Sequence, residues 1–301
     1  MPPSIGDVNG LSPWDDVERL AAVLAGVLET GSSGLSQTQL RRLALRGAAL
    51  SLPPALVMQR FQGRLRAQDV TAVWNGLLHR RCLMSPSGAG DGAPGTSRRP
   101  EGLSVQRTVR AGWELIRVTA EVQSVGRRWR VTHELARRGP ADQPAATRKL
   151  TESEAGFDPP SGDRIYRLAY DDVVAWAEAT GDRNAIHLLP GRAAELGLEA
   201  GPDDVVAHGL LLGALSLAVA RPSPHQQIRL RFIGAADVPA HCLDGGEAWT
   251  TLVVDPGSGD IARCGRLVTE PSRHWMPEWP QALIDALSPR EGKMITCWRK
   301  F

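Results

Sequence analysis

Ala179-Thr-Gly-Asp-Arg-Asn-Ala-Ile-His187, followed at Ala207-His208-Gly209 by the run Leu210 to Ala220 (LLLGALSLAVA), sets the reading of the whole chain. The run is apolar all round, interrupted only by Gly213 and Ser216. A helix of that composition must be enclosed on most sides, and a curved antiparallel sheet wrapped around it would do so. It falls well short of the ~20 residues needed to span a bilayer, so no membrane association is expected. Ahead of it, Asp171 to Ala179 (DDVVAWAEA) predicts a short helix whose acidic residues suit the positive end of the helix dipole. Gly181 then permits a tight turn.

Working outward, period-two alternation marks strands with one buried face. It appears at Ile228 to Ile233, Glu247 to Val254 and, after an Asp255-Pro-Gly-Ser-Gly turn, Ile261 to Thr269. The same pattern occurs earlier, at Leu103 to Arg110, Glu114 to Val125 and Trp129 to Ala136. Between the two sets lies Gly139 to Gly162, a breaker-rich segment with Gly139-Pro140, Pro144 and Pro159-Pro160. A second Gly/Pro/Ser-rich stretch, Ser85 to Pro100, reads as a loop. The repetition implies two copies of one α+β unit. The expected division is a first unit over 1–138, a linker over 139–162 and a second unit over 163–301, with the two sheets continuous.

Composition narrows the function class. With 35 Lys+Arg against 33 Asp+Glu the net charge is +2, which argues against the basic surface that nucleic-acid binding requires. Pairs such as Arg127-Arg128 and Arg137-Arg138 sit beside apolar alternation and read as solvated strand faces. Cys82, Cys242, Cys264 and Cys297 form no CxxC pair, so neither a zinc site nor a disulfide framework is expected. The opening Met-Pro-Pro-Ser-Ile-Gly-Asp lacks the features of a signal peptide, and a cytoplasmic setting is expected.

Asp182, Asn184 and His187 place an acid, an amide and an imidazole within six positions. Converging, they could hold and polarise one water. His208-Gly209 stands where the buried helix starts. There, free backbone N–H groups and the dipole can stabilise an oxyanion, and the missing side chain of Gly209 admits a thioester carbonyl. Each residue alone has a plainer reading: Asp and Asn satisfy turn backbone, His187 is a loop histidine, and His208 either holds the helix start or acts directly. Ser216 either faces the substrate or back-bonds to helix carbonyls. It is the conjunction of loop, His-Gly and buried helix that points to catalysis.

At these residues the chain resembles the MaoC-like family of (R)-specific 2-enoyl-CoA hydratases and acyl dehydratases. Their motif reads Ser/Thr-Gly-Asp-x-Asn-Pro-Ile/Leu-His, with a later His-Gly opening the helix of a hot-dog fold. Thr180, Gly181, Asp182, Asn184, Ile186 and His187 match, as do His208 and Gly209. Ala185 stands in place of the proline, and Leu189 in place of an acid that usually follows the histidine. The whole length is similar to the double hot-dog members, whose first copy has lost the catalytic loop. The resemblance implies that Asp182 and His187 activate the water that adds to C3, Asn184 orients them, and the Gly209 amide receives the thioester oxygen. It implies hydration of 2-enoyl thioesters, or syn dehydration of (R)-3-hydroxyacyl thioesters, carried on coenzyme A or an acyl carrier protein. No cofactor and no metal are required, and a homodimer is a candidate assembly.

Two alternatives share the fold: a non-catalytic or substrate-binding hot-dog subunit, and a thioesterase. The latter usually places an acid on or near the central helix, and Leu210 to Ala220 has none. In the first half, Trp74-Asn-Gly-Leu-Leu78 is the candidate counterpart of His208-Gly209 and the candidate wall of the acyl site, against core packing as the plain role of Trp74. His79 and His133 read as surface or strand polar residues. The tail from Pro271, with Trp275, Trp279 and Trp298, is expected to pack across the outside of the sheet.

Overall fold

The computed structural model describes residues 13–31, 34–87, 102–138, 164–198, 200–220, 222, 227–240, 247–268 and 294–295. The expected linker over 139–162 and the tail tryptophans lie outside them, as does most of the Ser85 to Pro100 stretch.

The first half opens with two helices, α1 (Pro13–Glu29) and α2 (Gln37–Ala67), which the sequence reading does not anticipate. The capping box that starts α2 is local: Ser36 Oγ accepts from the Gln39 N–H (3.3 Å), and Gln39 Oε1 accepts from the Ser36 N–H (2.8 Å). Its interior holds Pro53 and Pro54, which remove two helix donors and disguise a 31-residue helix as two fragments. After a 3₁₀ turn at Thr71–Val73 come β1 (Leu78–Pro86), β2 (Ser104–Arg110), β3 (Trp113–Ser124) and β4 (Arg127–Arg138). The last three fall within a few residues of the alternating stretches. In β4, Trp129, Val131, His133 and Leu135 are buried, giving the sheet one apolar face to lay on α2.

The second half runs β5 (Arg164–Leu168), α3 (Tyr170–Thr180), α4 (Ala185–Leu188), α5 (Arg192–Glu195), β6 (Asp204–Val206) and α6 (Gly209–Ala220). It continues with β7 (Ile228–Arg231), β8 (Asp237–Pro239), β9 (Ala248–Val254), β10 (Ile261–Val268) and β11 (Met294–Ile295). Every residue of α6 from Leu210 onward is buried, as its composition requires. Gly47 of α2 lets that helix approach α6 so closely that a Cβ there would sit 2.6 Å from the Ala214 carbonyl. On another side, Gly213 lies against Leu230 of β7, and the Ser216 hydroxyl donates to the Gly259 carbonyl in the β9–β10 turn (2.6 Å).

This is an α+β molecule of two helix-and-antiparallel-sheet units, the double hot-dog arrangement, with α2 and α6 packed together between the sheets. The strands fall into three sheets, with orders β2-β3-β4-β1-β7, β11-β10-β9-β5 and β6-β8. The expected continuity of the two sheets is not found among the described residues: no strand pair joins the five-stranded sheet to the four-stranded one. The halves are linked instead by β7, a second-half strand that leaves its own sheet to pair with first-half β1 (Cys82 opposite Leu230). No helix among the described residues is long and apolar enough to cross a membrane.

Candidate active site

α3 ends at Gly181, whose left-handed backbone (φ 70°) turns the chain away from the helix axis. The next residue, Asp182, points its carboxylate back under the first half. Its Oδ1 accepts from the Trp74 indole N–H (3.2 Å) and from the Asn184 N–H (3.3 Å). Burial raises the Asp182 pKa, and the nearby His187 together with these two donors partly offsets the rise.

Asn184 caps α4 and is almost wholly buried. Its Oδ1 accepts from the Gly76 N–H (3.1 Å), and its amide donates to the Leu77 carbonyl (2.9 Å). Its side chain orients the loop by stapling it to the first half, and its backbone carbonyl accepts from the His187 N–H (3.0 Å).

His187 lies on α4, and its Nδ1–H donates to the Val206 carbonyl (2.6 Å). That bond fixes the tautomer and leaves Nε2 as a bare acceptor. Burial lowers its pKa, against the opposing pull of Asp182 and the Val206 carbonyl. His208 stacks on His187, with ring centroids 3.8 Å apart, and donates from Nε2 to the Asp182 backbone carbonyl (3.1 Å). It thus ties the start of α6 to the acid loop. Burial first, and His187 second, hold its pKa well below the usual histidine range.

One titratable atom from each of Asp182, His187 and His208 lies within 4.8 Å of the other two. A cavity of about 10 Å³, lined by Trp74, Thr180, Asp182 and side chains of α2, adjoins the carboxylate. That is about the volume one water requires. Gly209 begins α6, where N–H groups lack intrahelical acceptors. A Cβ at Gly209 would meet His79 Cβ and the Phe232 ring at 3.3 Å, so a side chain would crowd the helix start.

The loop and the helix start are brought together as the sequence spacing suggests. Ser216 is not part of this site: its hydroxyl is buried against Gly259 and takes neither of the roles read from sequence. Trp74 is both core, tilted against Phe61 at 6.0 Å between ring centroids, and a direct partner of Asp182.

Compared with known proteins, the chain matches no family model and no curated protein. Among solved structures it is similar to HtdX of Mycobacterium tuberculosis, at 18% identity and a TM-score of 0.48, over 81% of this chain and 90% of that one. It is also similar to a MaoC-like dehydratase, at 17% identity and a TM-score of 0.45, over 85% and 89% of the two chains. A third is full-length peroxisomal multifunctional enzyme type 2 from Drosophila melanogaster, at 14% identity and a TM-score of 0.47. It is matched over 95% of this chain but 46% of that one. At such identities the chemistry has to come from this chain's own residues.

Two residues that sequence reading set aside lie beside the site. His133 is fully buried, and its Nε2–H donates to the Pro54 carbonyl (3.1 Å). Its Nδ1 is therefore the acceptor for His79 Nε2–H, 2.8 Å away. Burial pushes the His133 pKa down to about 3. His79 also packs on Phe232, at 4.9 Å between centroids. The signal was present in the alternation, which puts His133 on the apolar face of its strand between Val131 and Leu135. His79, His133 and the buried Cys82 also bring donor atoms within 4.8 Å of one another. The contacts just given already account for the two histidines.

Proposed function

We propose that this chain is a hydro-lyase that hydrates 2-enoyl thioesters reversibly. The observation that carries the reading is the meeting of Asp182, with its pKa raised and a one-water cavity at its carboxylate, and His187, with a bare Nε2, near the start of α6. Water bound between the two accepting groups gives its hydroxyl to C3 as the pair takes the proton. That proton is then delivered to C2 of the enolate-like intermediate, whose thioester oxygen the Gly209 N–H stabilises. In reverse, the pair removes the C2 proton and the C3 hydroxyl leaves as water.

From the family resemblance, the addition is syn and the product an (R)-3-hydroxyacyl thioester on coenzyme A or a carrier protein. The first unit, 1–138, serves as structural partner and acyl-site wall to the second, 163–301, so each chain has one active site. Support comes from Trp74, Gly76 and Leu77, which hold Asp182 and Asn184 directly.

The test is crotonyl-CoA or a longer enoyl-CoA followed at the absorbance of the conjugated double bond, with free thiol measured in parallel. Absorbance should fall without thiol release; thiol release would favour a thioesterase, and no change a non-catalytic subunit. Asp182→Asn and His187→Ala should each lower turnover at least ~10²-fold, the lower range for losing a positioned acid/base group. Binding of a substrate analogue should change far less. Either variant keeping more than about a third of wild-type turnover would remove that residue from the chemistry.

A further inference from the structure

β1 carries a bulge that the alternation of its residues does not foretell. Against β4, His79 lies opposite Leu135 and Arg81 opposite Glu134, so Arg80 is an extra residue between them. Bulges are over-represented next to active sites, where they re-aim a side chain. Cys82 and Met84 are buried, so strict alternation would point Arg80 inward and His79 outward. Arg80 is instead exposed, and His79 turns in to the buried His133. The bulge makes an inward residue of a histidine whose place in the sequence reads as outward.

Both side chains that close on Gly209 depend on this bulge. The Arg80 carbonyl accepts from the Phe232 N–H (2.9 Å), which sets the Phe232 ring beside His79, at 4.9 Å between centroids. His79 Cβ and the Phe232 ring each lie 3.3 Å from where a Gly209 Cβ would stand. Behind them, two hydrogen bonds in series hold the His79 ring. The Pro54 carbonyl accepts from His133 Nε2–H (3.1 Å), and His133 Nδ1 accepts from His79 Nε2–H (2.8 Å). The Arg81 backbone also bonds to this ring. Burial first and His133 second lower the His79 pKa, and His187 adds a smaller push, so His79 is neutral and within electrostatic reach of His187. Two leucines would fill this apolar face without the cost of burying two imidazoles. Packing alone therefore does not account for the pair.

We infer, resting on the hydro-lyase reading, that His79 is a positioning residue of the candidate site. The bulge and His133 press it, with Phe232, against the start of α6 and so fix the Gly209 amide that receives the thioester oxygen. Variants of the full chain assayed on crotonyl-CoA test this role. His79→Leu fills the space without a donor, His79→Asn is too short to reach His133, and His79→Gln brings an amide N–H to the place of Nε2–H. The first two should lower kcat at least ~10-fold, less than the ~10²-fold or more that losing an oxyanion donor outright costs. KM should stay within about threefold of wild type, and His79→Gln should regain most of the loss. Acetoacetyl-CoA gives a readout apart from turnover, because its enolate has an ultraviolet band of its own. The enolised fraction of bound acetoacetyl-CoA should fall in His79→Leu and His79→Asn and return in His79→Gln. Wild-type kcat and enolate band in either loss variant, or no recovery in His79→Gln, would overturn the role. Should His79→Leu fail to fold, the comparison of His79→Asn with His79→Gln decides it. Absence of hydration by wild type would instead sink the hydro-lyase reading, and this role with it.

Discussion

Asn184 illustrates how much one side chain can decide. It satisfies Gly76 N–H and Leu77 C=O across the two halves while capping α4. Asn184→Ala leaves the buried Leu77 carbonyl without its partner, at a cost of about 1–3 kcal/mol, and the half-buried Gly76 N–H without its own. It should lower unfolding stability by about that amount or more in denaturant titrations. Trp74 acts on charge instead. Its indole N–H is one of the groups that restrain the Asp182 pKa, so Trp74→Phe should raise that pKa further. The acid limb of the kcat/KM profile should then move to higher pH, with little change in KM; an unmoved limb would show that the hydrogen bond does not tune the acid. His133 links the fold itself to pH. With a folded-state value of about 3 against an unfolded 6.5, it stays neutral in the folded protein while the unfolded chain takes up a proton. Stability is therefore fully present above pH 6.5 and falls as pH drops towards 3. Between pH 8 and pH 5 the loss from this residue is about 2 kcal/mol. The lowered pKa values of His79 and His208 act in the same direction. Urea midpoints measured across this range should fall on acidification, and more gently in His133→Leu, whose own baseline stability will be lower.

Among the elements, α6 and α2 meet through a glycine. In an exposed helix interior Gly→Ala stabilises by roughly 1 kcal/mol. At Gly47 the added Cβ would meet the Ala214 carbonyl at 2.6 Å and the Ala218 Cβ at 2.9 Å. Backbone would have to move, so Gly47→Ala should lower the melting temperature despite the gain in propensity; a higher value would mean the two helices can separate at little cost. Pro53 and Pro54 show a complementary effect. The interruption they make in α2 does not end the helix, because both are buried against the sheet and the Pro54 carbonyl is taken by His133.

Across the whole molecule, the halves share a core rather than a surface. β7 completes the sheet of the first half, α2 covers α6, and the candidate loop is stapled to residues 74–77. A fragment over 163–301 would expose the apolar flank of α6 and the open edge of β7. Expressed alone it should aggregate or remain unfolded by circular dichroism. A soluble, fully active fragment would make the first half a separate module. Sequence alone determined what depends on local periodicity and local chemistry. Alternation gave β2, β3, β4, β9 and β10 to within a few residues; the apolar run gave a buried α6; and Gly181 with the Asp182–His187 spacing gave the candidate loop. The partners of that loop were decided only in three dimensions. Trp74 and Asp182 are more than a hundred positions apart, as are Leu77 and Asn184, and no short-range pattern encodes such contacts. The helix α2 was hidden for the same reason, since two prolines break the local pattern and only burial against β3, β4 and α6 restores it. The role of His133 also follows from tertiary structure: a polar residue on an inward strand face can be read from the sequence, but the carbonyl that Pro54 offers it cannot.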